Sequence, residues 1–343
     1  MASPAAPTLP ARETFRIGPF VAPRLWTGLW QLSSNAWGSA SVGKIRQAMA
    51  RHVEQGYTAF ADHYGGAEII FGQFRSSSDS ADKIIGATKW CVFKRTHISR
   101  ATVQAAVHER IDRMKSRRVD LLQFHWQDYT DKEYLTALQH LLDMRDEGLI
   151  AAIGLCNFDS IRTDEICTIL GPGAIVSNQV QFSLIDTRPL HGMAHVCEKH
   201  NLKLLTYGTL CGGFLADKWL GAPEPDPYSG NLTPSQRKYL DMIVRAWGTW
   251  DLFQSLLLVL RSIADRHVKT VANIATRWVL DHSFVGAVLI GARLGISEHP
   301  DENAQVYGFR LTKQDRDRIE DVLDRSNGRT IITSVGDCGA EYR

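Results

Sequence analysis

Three side chains in this sequence could together move a proton: the phenol of Tyr64, the ammonium of Lys89 and the imidazole of His125. A tyrosine with a pKa of about 10 is a poor acid at neutral pH, but a neighbouring lysine cation stabilises the tyrosinate and lowers that pKa. A histidine beside them can polarise or orient a carbonyl oxygen. Each residue follows a short apolar run, so the sequence predicts acid–base chemistry on a carbonyl if those runs meet in space.

The apolar runs are candidate β-strands that alternate with helical patterns from about residue 24 onward, which is typical of parallel β/α architecture. Eight units in roughly 290 residues indicate an α/β fold, a (β/α)8 TIM barrel in one domain, with its active site at the carboxyl ends of the strands. A doubly wound sheet is the alternative. The predicted strands are Leu25 to Gln31, Thr58 to Ala61, Lys83 to Lys89, Val119 to His125, Ala151 to Leu155, Ile175 to Phe182, Leu202 to Tyr207 and Val285 to Gly291.

Three segments divide the chain. Residues 1–23 are predicted to be an N-terminal arm and lead-in, residues 24–327 the barrel, and residues 328–343 a C-terminal tail. The Pro- and Gly-rich span Leu220 to Ser235 could be a linker, but we interpret it as one barrel loop because helical patterns follow it and complete the eight units. The tail has no clear periodicity, so we expect it to fray or to pack on the surface.

The composition favours a globular protein that binds a small molecule. Of 343 residues, 44% are hydrophobic, and 39 Lys and Arg against 37 Asp and Glu give a net charge of +2. This balance argues against nucleic acid or an anionic membrane as a partner. No apolar segment is long enough to span a bilayer, and the six cysteines have no C-x-x-C spacing, so we expect neither disulfides nor a metal site. A reducing, cytoplasmic location fits best.

Short motifs at the predicted strand ends, taken in order, resemble those of the aldo/keto reductase family, from about Arg24 to Arg325. Any one motif alone would be weak evidence, but six in register are hard to obtain by chance. The motifs are Gly56-Tyr57-Thr58-Ala59-Phe60 with Ala61-Asp62-His63-Tyr64-Gly65, Ala87-Thr88-Lys89-Trp90, Leu121-Leu122-Gln123-Phe124-His125, Gly154-Leu155-Cys156-Asn157-Phe158, and Gly291-Ala292-Arg293 followed by Glu302-Asn303.

The resemblance implies a TIM barrel that binds NADP(H) in an extended form and reduces a small aldehyde or ketone to an alcohol by hydride transfer, with secondary metabolism as a candidate setting. The sequence agrees that a Rossmann motif is absent, because Gly171-Pro172-Gly173-Ala174 lacks the third glycine of G-x-G-x-x-G. By position, the resemblance makes Tyr64 the proton donor, Lys89 the neighbour that lowers its pKa, and His125 the group that orients the carbonyl.

The resemblance also implies a set of cofactor contacts. An arginine fork suits a phosphate, so Arg293 favours NADP over NAD. The expected contacts are Asn157 and Gln179 to the nicotinamide carboxamide, Tyr207 stacked on the nicotinamide ring, Gly208 to Gly213 with Leu210 as the pyrophosphate loop, and Arg293, Glu302 and Asn303 around the adenosine 2′-phosphate and adenine.

Two departures from the family pattern bear on activity. Relatives usually carry an aspartate five residues before the tyrosine, where it pairs with the lysine, but here that position is Ala59. Comparison with the family's Phe-Asp-x-Ala-Asp-x-Tyr indicates that two residues are missing between Phe60 and Ala61. This loss keeps the in/out alternation but shortens the strand by roughly 6 to 7 Å, which could displace Tyr64.

The second departure is at Cys156, which replaces a serine of many relatives and weakens one hydrogen bond.

Three explanations for the missing aspartate stay open: Asp62 takes over the pairing with Lys89, the protein works weakly without a partner carboxylate, or the sequence records an altered or mis-spliced form. Two other functions also stay open. One is a catalytically degenerate protein that binds NADPH and regulates, and the other is an NADP-dependent alcohol or sugar dehydrogenase. Turnover on a carbonyl panel, and the relative rates of reduction and oxidation, would distinguish them.

Overall fold

Eight parallel strands close into a barrel in the computed structural model, which describes residues 11–61 and 65–343. The last strand pairs with the first, with Val288 opposite Leu25. The predicted single-domain (β/α)8 barrel is therefore confirmed, and the doubly wound alternative is wrong because an open sheet has no closing pair. The barrel strands are β3 (Leu25–Gly28), β4 (Ala59–Ala61), β5 (Ile85–Val92), β6 (Val119–Trp126), β7 (Ile150–Cys156), β8 (Ser177–Gln181), β9 (Lys203–Tyr207) and β10 (Val285–Gly291), after β1 (Thr14–Ile17) and β2 (Phe20–Pro23).

Helices surround the barrel, and side-chain caps start several of them. Thr270 and Asn273 form a reciprocal capping box that satisfies backbone donors at a helix start. No helix among the described residues is long and apolar enough to cross a membrane. The helices are α1 (Val42–Glu54), α2 (Gly65–Ser76), α3 (Arg100–Arg113), α4 (Glu133–Asp146), α5 (Ser160–Leu170), α6 (Met193–His200), α7 (Pro234–Asp241, continued by a π-helical turn Met242–Trp247), α8 (Trp250–His267), α9 (Val271–Leu280), α10 (Pro300–Ala304), α11 (Lys313–Leu323) and α12 (Ile331–Val335).

The antiparallel hairpin β1–β2 closes the amino-terminal end of the barrel. Ile17 and Ala22 are buried in one cluster with inward-facing barrel residues, including Trp26. Phe15 packs so closely on the last strand that a methyl group on Gly286 would lie 2.3 Å from its ring. The described part of the N-terminal lead-in is therefore ordered, because its apolar side chains fill the barrel floor.

The C-terminal tail differs from the sequence-based expectation. A frayed or surface tail is wrong for its described course, because Ile331 is fully buried and Cys338 is 1% exposed. The chain then continues to the barrel mouth, where the Tyr342 hydroxyl lies 3.1 Å from the Tyr207 hydroxyl. Long-range polar contacts, rather than helical periodicity, hold this segment in place, which is why the sequence pattern did not indicate it.

We expect the stability of the fold to depend on pH through His282. The rings of Phe182, Trp278 and Phe284 lie within 5.3 Å of its imidazole, and burial lowers the pKa of His282 from 6.5 to about 4. The unfolded chain therefore binds a proton that the folded chain excludes, so stability falls as the pH drops from 6.5 to 4, by about 3 kcal/mol in all.

Denaturant unfolding of His282→Asn and of the parent protein at several pH values measures this effect. We expect the difference between the two free energies of unfolding to change across the window. His299→Asn is the matched control, since His299 is 67% exposed. The same slope in the His282 variant and the parent would contradict the assignment.

Candidate active site

A cavity of about 470 Å³ opens at the carboxyl ends of the barrel strands. This volume is within the range of small-molecule sites. The described residues contain no cluster of three His, Cys, Asp or Glu side chains placed to hold a metal ion. Of the residues that the sequence singles out, the cavity is lined by Lys89, His125, Asn157, Gln179, Tyr207, Gly208, Leu210, Gly213, Arg293 and Asn303, beside Cys156 and the two tryptophans Trp30 and Trp37.

Lys89 and His125 come from neighbouring strands and face the barrel interior. Lys89 lies opposite Gln123 in the β5–β6 pairing, and His125 is two residues further along β6. Because side chains alternate between the two faces of a strand, both residues share the inward face with Ala87 and Leu121 of the core. His125 is only 3% exposed, whereas Lys89 is half-buried. Both side chains line the same cavity.

The orientation of the His125 ring is fixed by a backbone carbonyl. Its Nδ1 lies 2.9 Å from the carbonyl oxygen of Cys156. A carbonyl only accepts hydrogen bonds, so Nδ1 carries a proton, and Nε2 is the acceptor nitrogen of the neutral ring. The ring also contacts the edge of Tyr342, with 6.0 Å between centroids. The imidazole is therefore held in one tautomer where it lines the cavity.

The strand before the expected proton donor is short, and its inward positions carry methyl groups. Only Ala59, Phe60 and Ala61 form β4, and Ala61 pairs with Ala87, two residues before Lys89 on β5. Ala59 and Ala61 are both buried in the barrel interior. The described part of β4 therefore offers Lys89 no carboxylate. Tyr64 and Asp62 lie outside the described residues.

An amide cluster forms the wall beside Cys156. Asn157 adopts a left-handed backbone conformation with a φ of 60°, and its N–H donates to the Gln179 carbonyl oxygen at 2.9 Å. The Gln179 side-chain amide donates to Gln123 Oε1 at 3.0 Å. Sequence reasoning gave Gln123 no role, although a glutamine within the apolar run of β6 was a signal of a buried polar contact. Gln123 fixes the position of the Gln179 amide.

A chain of hydrogen bonds crosses the mouth of the cavity. The Tyr207 hydroxyl donates to Asn157 Oδ1 at 3.0 Å, so it accepts from the Tyr342 hydroxyl at 3.1 Å. The Lys238 ammonium donates to the Tyr342 hydroxyl at 3.4 Å. Burial, together with the neighbouring Tyr342, raises the pKa of Tyr207 well above its ordinary value. Both Lys238 and Tyr342 are therefore site residues that the sequence did not identify.

The glycine-rich loop after β9 passes close to α7. Gly208 has a φ of 72°, and a methyl group there would lie 2.2 Å from the Tyr239 hydroxyl. Only glycine accepts this backbone conformation and this approach without strain. The loop from Gly208 to Gly213 consequently exposes its backbone to the cavity.

The far end of the cavity contains Arg293 and Asn303 but not Glu302. The Glu302 side chain is 48% exposed and lies 3.8 Å from His299. Glu302 and Asn303 are successive residues of α10, and successive helical residues point about 100° apart. Asn303 therefore lines the cavity, whereas a role for Glu302 stays a prediction.

Comparisons with known proteins agree with this geometry. The model of the aldo/keto reductase family matches residues 24–324. The chain is similar to aldo-keto reductase YhdN of Bacillus subtilis (strain 168), with 25% identity covering 92% of this chain and 93% of that protein. It is also similar to the structure of the glycerol dehydrogenase AKR11B4 from Gluconobacter oxydans, with a TM-score of 0.72, 23% identity, and coverage of 91% and 95%. A Klebsiella pneumoniae aldo/keto reductase in complex with NADP and acetate has a TM-score of 0.69 and 19% identity, with coverage of 91% and 96%.

Proposed function

Because the chain belongs to the aldo/keto reductase family, we propose that it reduces an aldehyde or ketone to the alcohol with NADPH as hydride donor. The observation that carries this proposal is that one cavity collects a lysine and a histidine together with two amides and a tyrosine ring. The lysine and the histidine suit proton transfer to a carbonyl, and the two amides with the tyrosine ring suit the binding of a planar carboxamide. A similar reductase in complex with NADP supports the choice of cofactor.

The residues present fit a dinucleotide. The Gln179 amide is held in place by Gln123, the loop from Gly208 to Gly213 turns its backbone to the cavity, and Arg293 lies at the far end. When bound, the nicotinamide supplies the hydride. In our proposal Asn157 and Gln179 bind the carboxamide and Tyr207 supports the ring, while the Arg293 fork binds the 2′-phosphate.

The chain's own residues supply the proton. We assign Tyr64 as the donor to the carbonyl oxygen, because it matches the tyrosine of the family motif that follows β4 in the sequence. The Lys89 cation stabilises the tyrosinate that remains. His125, fixed through Nδ1, orients the donor and the substrate oxygen in the cavity. In this reaction the hydride goes to the carbonyl carbon, and the proton of Tyr64 goes to the carbonyl oxygen.

The test is binding followed by turnover. NADPH is titrated against the intrinsic fluorescence, which Trp30 and Trp37 should report because they line the cavity. A panel of aromatic and aliphatic aldehydes and ketones is then added while NADPH absorbance is followed. We expect quenching, oxidation of NADPH, and a loss of about 10²- to 10⁴-fold in kcat for Tyr64→Phe. Tyr228→Phe is the control, since Tyr228 is 89% exposed. Full activity of Tyr64→Phe would refute the assignment.

Arg293→Met should change cofactor preference more than reaction rate. We expect NADPH affinity to fall by about tenfold to a hundredfold while NADH affinity is nearly unchanged, because a charge-assisted hydrogen bond to the 2′-phosphate is lost. Dissociation constants for both nucleotides check this. Arg245→Met is the matched control, with a side chain that is 75% exposed. An equal loss for NADPH and NADH would place Arg293 away from the 2′-phosphate.

A second candidate function is dinucleotide binding without turnover. The specific observation in its favour is that the inward positions of β4 described by the structure, Ala59 and Ala61, carry methyl groups rather than carboxylates. This candidate predicts NADPH quenching with no oxidation across the whole carbonyl panel. Steady turnover of any panel member would exclude it.

A further inference from the structure

The last seven residues, Asp337–Arg343, form a segment that we call the tail plug. Its first anchor is the Asp337 side chain, which accepts from the backbone N–H of Ser160 at 2.8 Å, at the start of α5. Its second anchor is Glu341, which pairs with the buried guanidinium of Arg188 at 2.7 Å and 3.1 Å. Cys338 between them is 1% exposed. The segment is thus a seated part of the fold.

One residue of the tail plug, Tyr342, lines the cavity beside the residues that the proposed function assigns to nicotinamide. The Tyr342 hydroxyl donates to Tyr207, and the Arg343 guanidinium donates to the Asn157 carbonyl oxygen at 3.4 Å. Tyr342 also lies edge-on to His125. Two of the side chains assigned to the nicotinamide and the substrate carbonyl, Tyr207 and His125, are therefore in contact with the plug, and so is the Asn157 backbone.

One glycine makes this close contact possible. Gly339 has a φ of 75°, and a methyl group on it would lie 2.1 Å from the Asn157 carbonyl oxygen. No side chain fits between the tail backbone and Asn157, so the two backbones are in direct contact. A single methyl group at this position would unseat the plug without changing any residue that lines the cavity.

The contacts at the second anchor allow the plug to leave without exposing an unpaired buried charge. When Glu341 departs, the Arg188 guanidinium keeps two hydrogen bonds to Asp186, at 2.9 Å and 2.7 Å. The buried cation is therefore never left without a carboxylate, which would be the costly event. Tyr207 likewise keeps its hydrogen bond to Asn157 after Tyr342 leaves. Departure of the plug therefore breaks its own contacts but leaves the buried Arg188 cation paired with a carboxylate.

We propose that the tail plug is an intramolecular competitor of the dinucleotide, seated over Asn157 and Tyr207 in the free protein and displaced when NADPH binds. The proposal rests on the proposed function. The plug and the cofactor compete for the same residues. The measured association constant for NADPH is therefore the intrinsic constant multiplied by the fraction of molecules in which the plug is displaced. Loosening the plug should raise that affinity.

The first arm of the test compares NADPH dissociation constants. We expect Gly339→Ala to bind NADPH about tenfold or more tightly than the parent protein, as a population shift predicts. Gly148→Ala is the matched control, because Gly148 also has a positive φ, of 84°, but a methyl group there meets no atom within 4 Å. Tyr342→Ala, which keeps both anchors, should also bind more tightly. Weaker binding by Gly339→Ala and Tyr342→Ala would show that the tail builds the site, and would overturn the proposal.

The second arm follows the plug itself through the Cys338 thiol. N-ethylmaleimide labelling, located by peptide mass spectrometry, should be slow in the free parent protein and fast in Gly339→Ala. NADPH should accelerate labelling of Cys338 in the parent. Protection of Cys338 by NADPH would mean that the tail closes over the cofactor, and would overturn the proposal.

The two arms separate failure of the inference from failure of the proposed function. Exposure of Cys338 in Gly339→Ala with an unchanged NADPH dissociation constant refutes competition alone. Exposure of Cys338 with no NADPH binding by either protein refutes both the proposed cofactor and the competition.

Discussion

Lys89→Met is expected to lower kcat for NADPH-dependent carbonyl reduction by about a thousandfold while changing the NADPH dissociation constant by less than about threefold. The two side chains have similar length, so the substitution removes the cation and keeps most of the packing. Lys89 shares the inward face of the barrel with His125 and points to the same cavity. Without its charge, the tyrosinate formed on proton donation is no longer stabilised.

Single-turnover and steady-state rates on the best carbonyl of the panel measure this effect, and fluorescence titration measures binding. Lys313→Met is the control, because Lys313 is 87% exposed and pairs with Asp317 within its own helix. A kcat within threefold of the parent would show that proton donation does not depend on Lys89. The candidate function of binding without turnover would then gain no support either, since turnover is observed.

Asp186→Asn is expected to destabilise the fold by about 1.5 to 3 kcal/mol, because hydrogen bonds to a charged group are lost while Glu341 still balances the Arg188 charge. Asp186 is fully buried and Arg188 is 1% exposed, with two hydrogen bonds between their side chains. Asparagine keeps the size of the side chain but presents a neutral amide to a buried cation. Glu341 remains, but its pair with Arg188 cannot replace both lost contacts.

Urea unfolding at pH 7 gives the free energy for Asp186→Asn and for the control Asp317→Asn. The control removes the exposed pair with Lys313, which should cost no more than about 1 kcal/mol. The Arg188 cluster also seats the tail plug, so we expect faster labelling of Cys338 in Asp186→Asn. A loss of less than about 1 kcal/mol would show that the buried pair is not a structural centre of the fold.

Glu341 connects this cluster to the cavity. Burial alone would raise the pKa of its carboxyl, but hydrogen bonds from Arg188 outweigh burial and hold the pKa below its ordinary value. Glu341 is therefore ionised across the neutral range, and its pair with Arg188 persists there. One residue further along, Tyr342 reaches Tyr207 at the mouth. The tail plug thus contributes both to the ion pairs around Arg188 and to the residues that limit access to the cavity.

The barrel could be predicted from the sequence because its signals are local. A strand covered on both faces needs a near-continuous apolar run, and the runs of β5, β6 and β10 are plain in the sequence. The carboxyl ends of parallel strands meet at one mouth, so Lys89 and His125 had to converge once the barrel was inferred. The family motifs are distributed over those same strand ends, which is why the sequence could name most residues that line the cavity.

Tertiary structure alone decided what fills the two ends of the barrel. The floor is filled by Phe15 and Ile17 of the N-terminal hairpin, and the mouth by Tyr342. Neither segment has a periodicity that specifies its partner. The ion pair between Arg188 and Glu341 joins residues 153 positions apart, and such a pairing leaves no local pattern in the chain. Residue types and alternation therefore determined the barrel and its polar mouth, whereas long-range packing and charge pairing determined that the chain's own terminus lies in it.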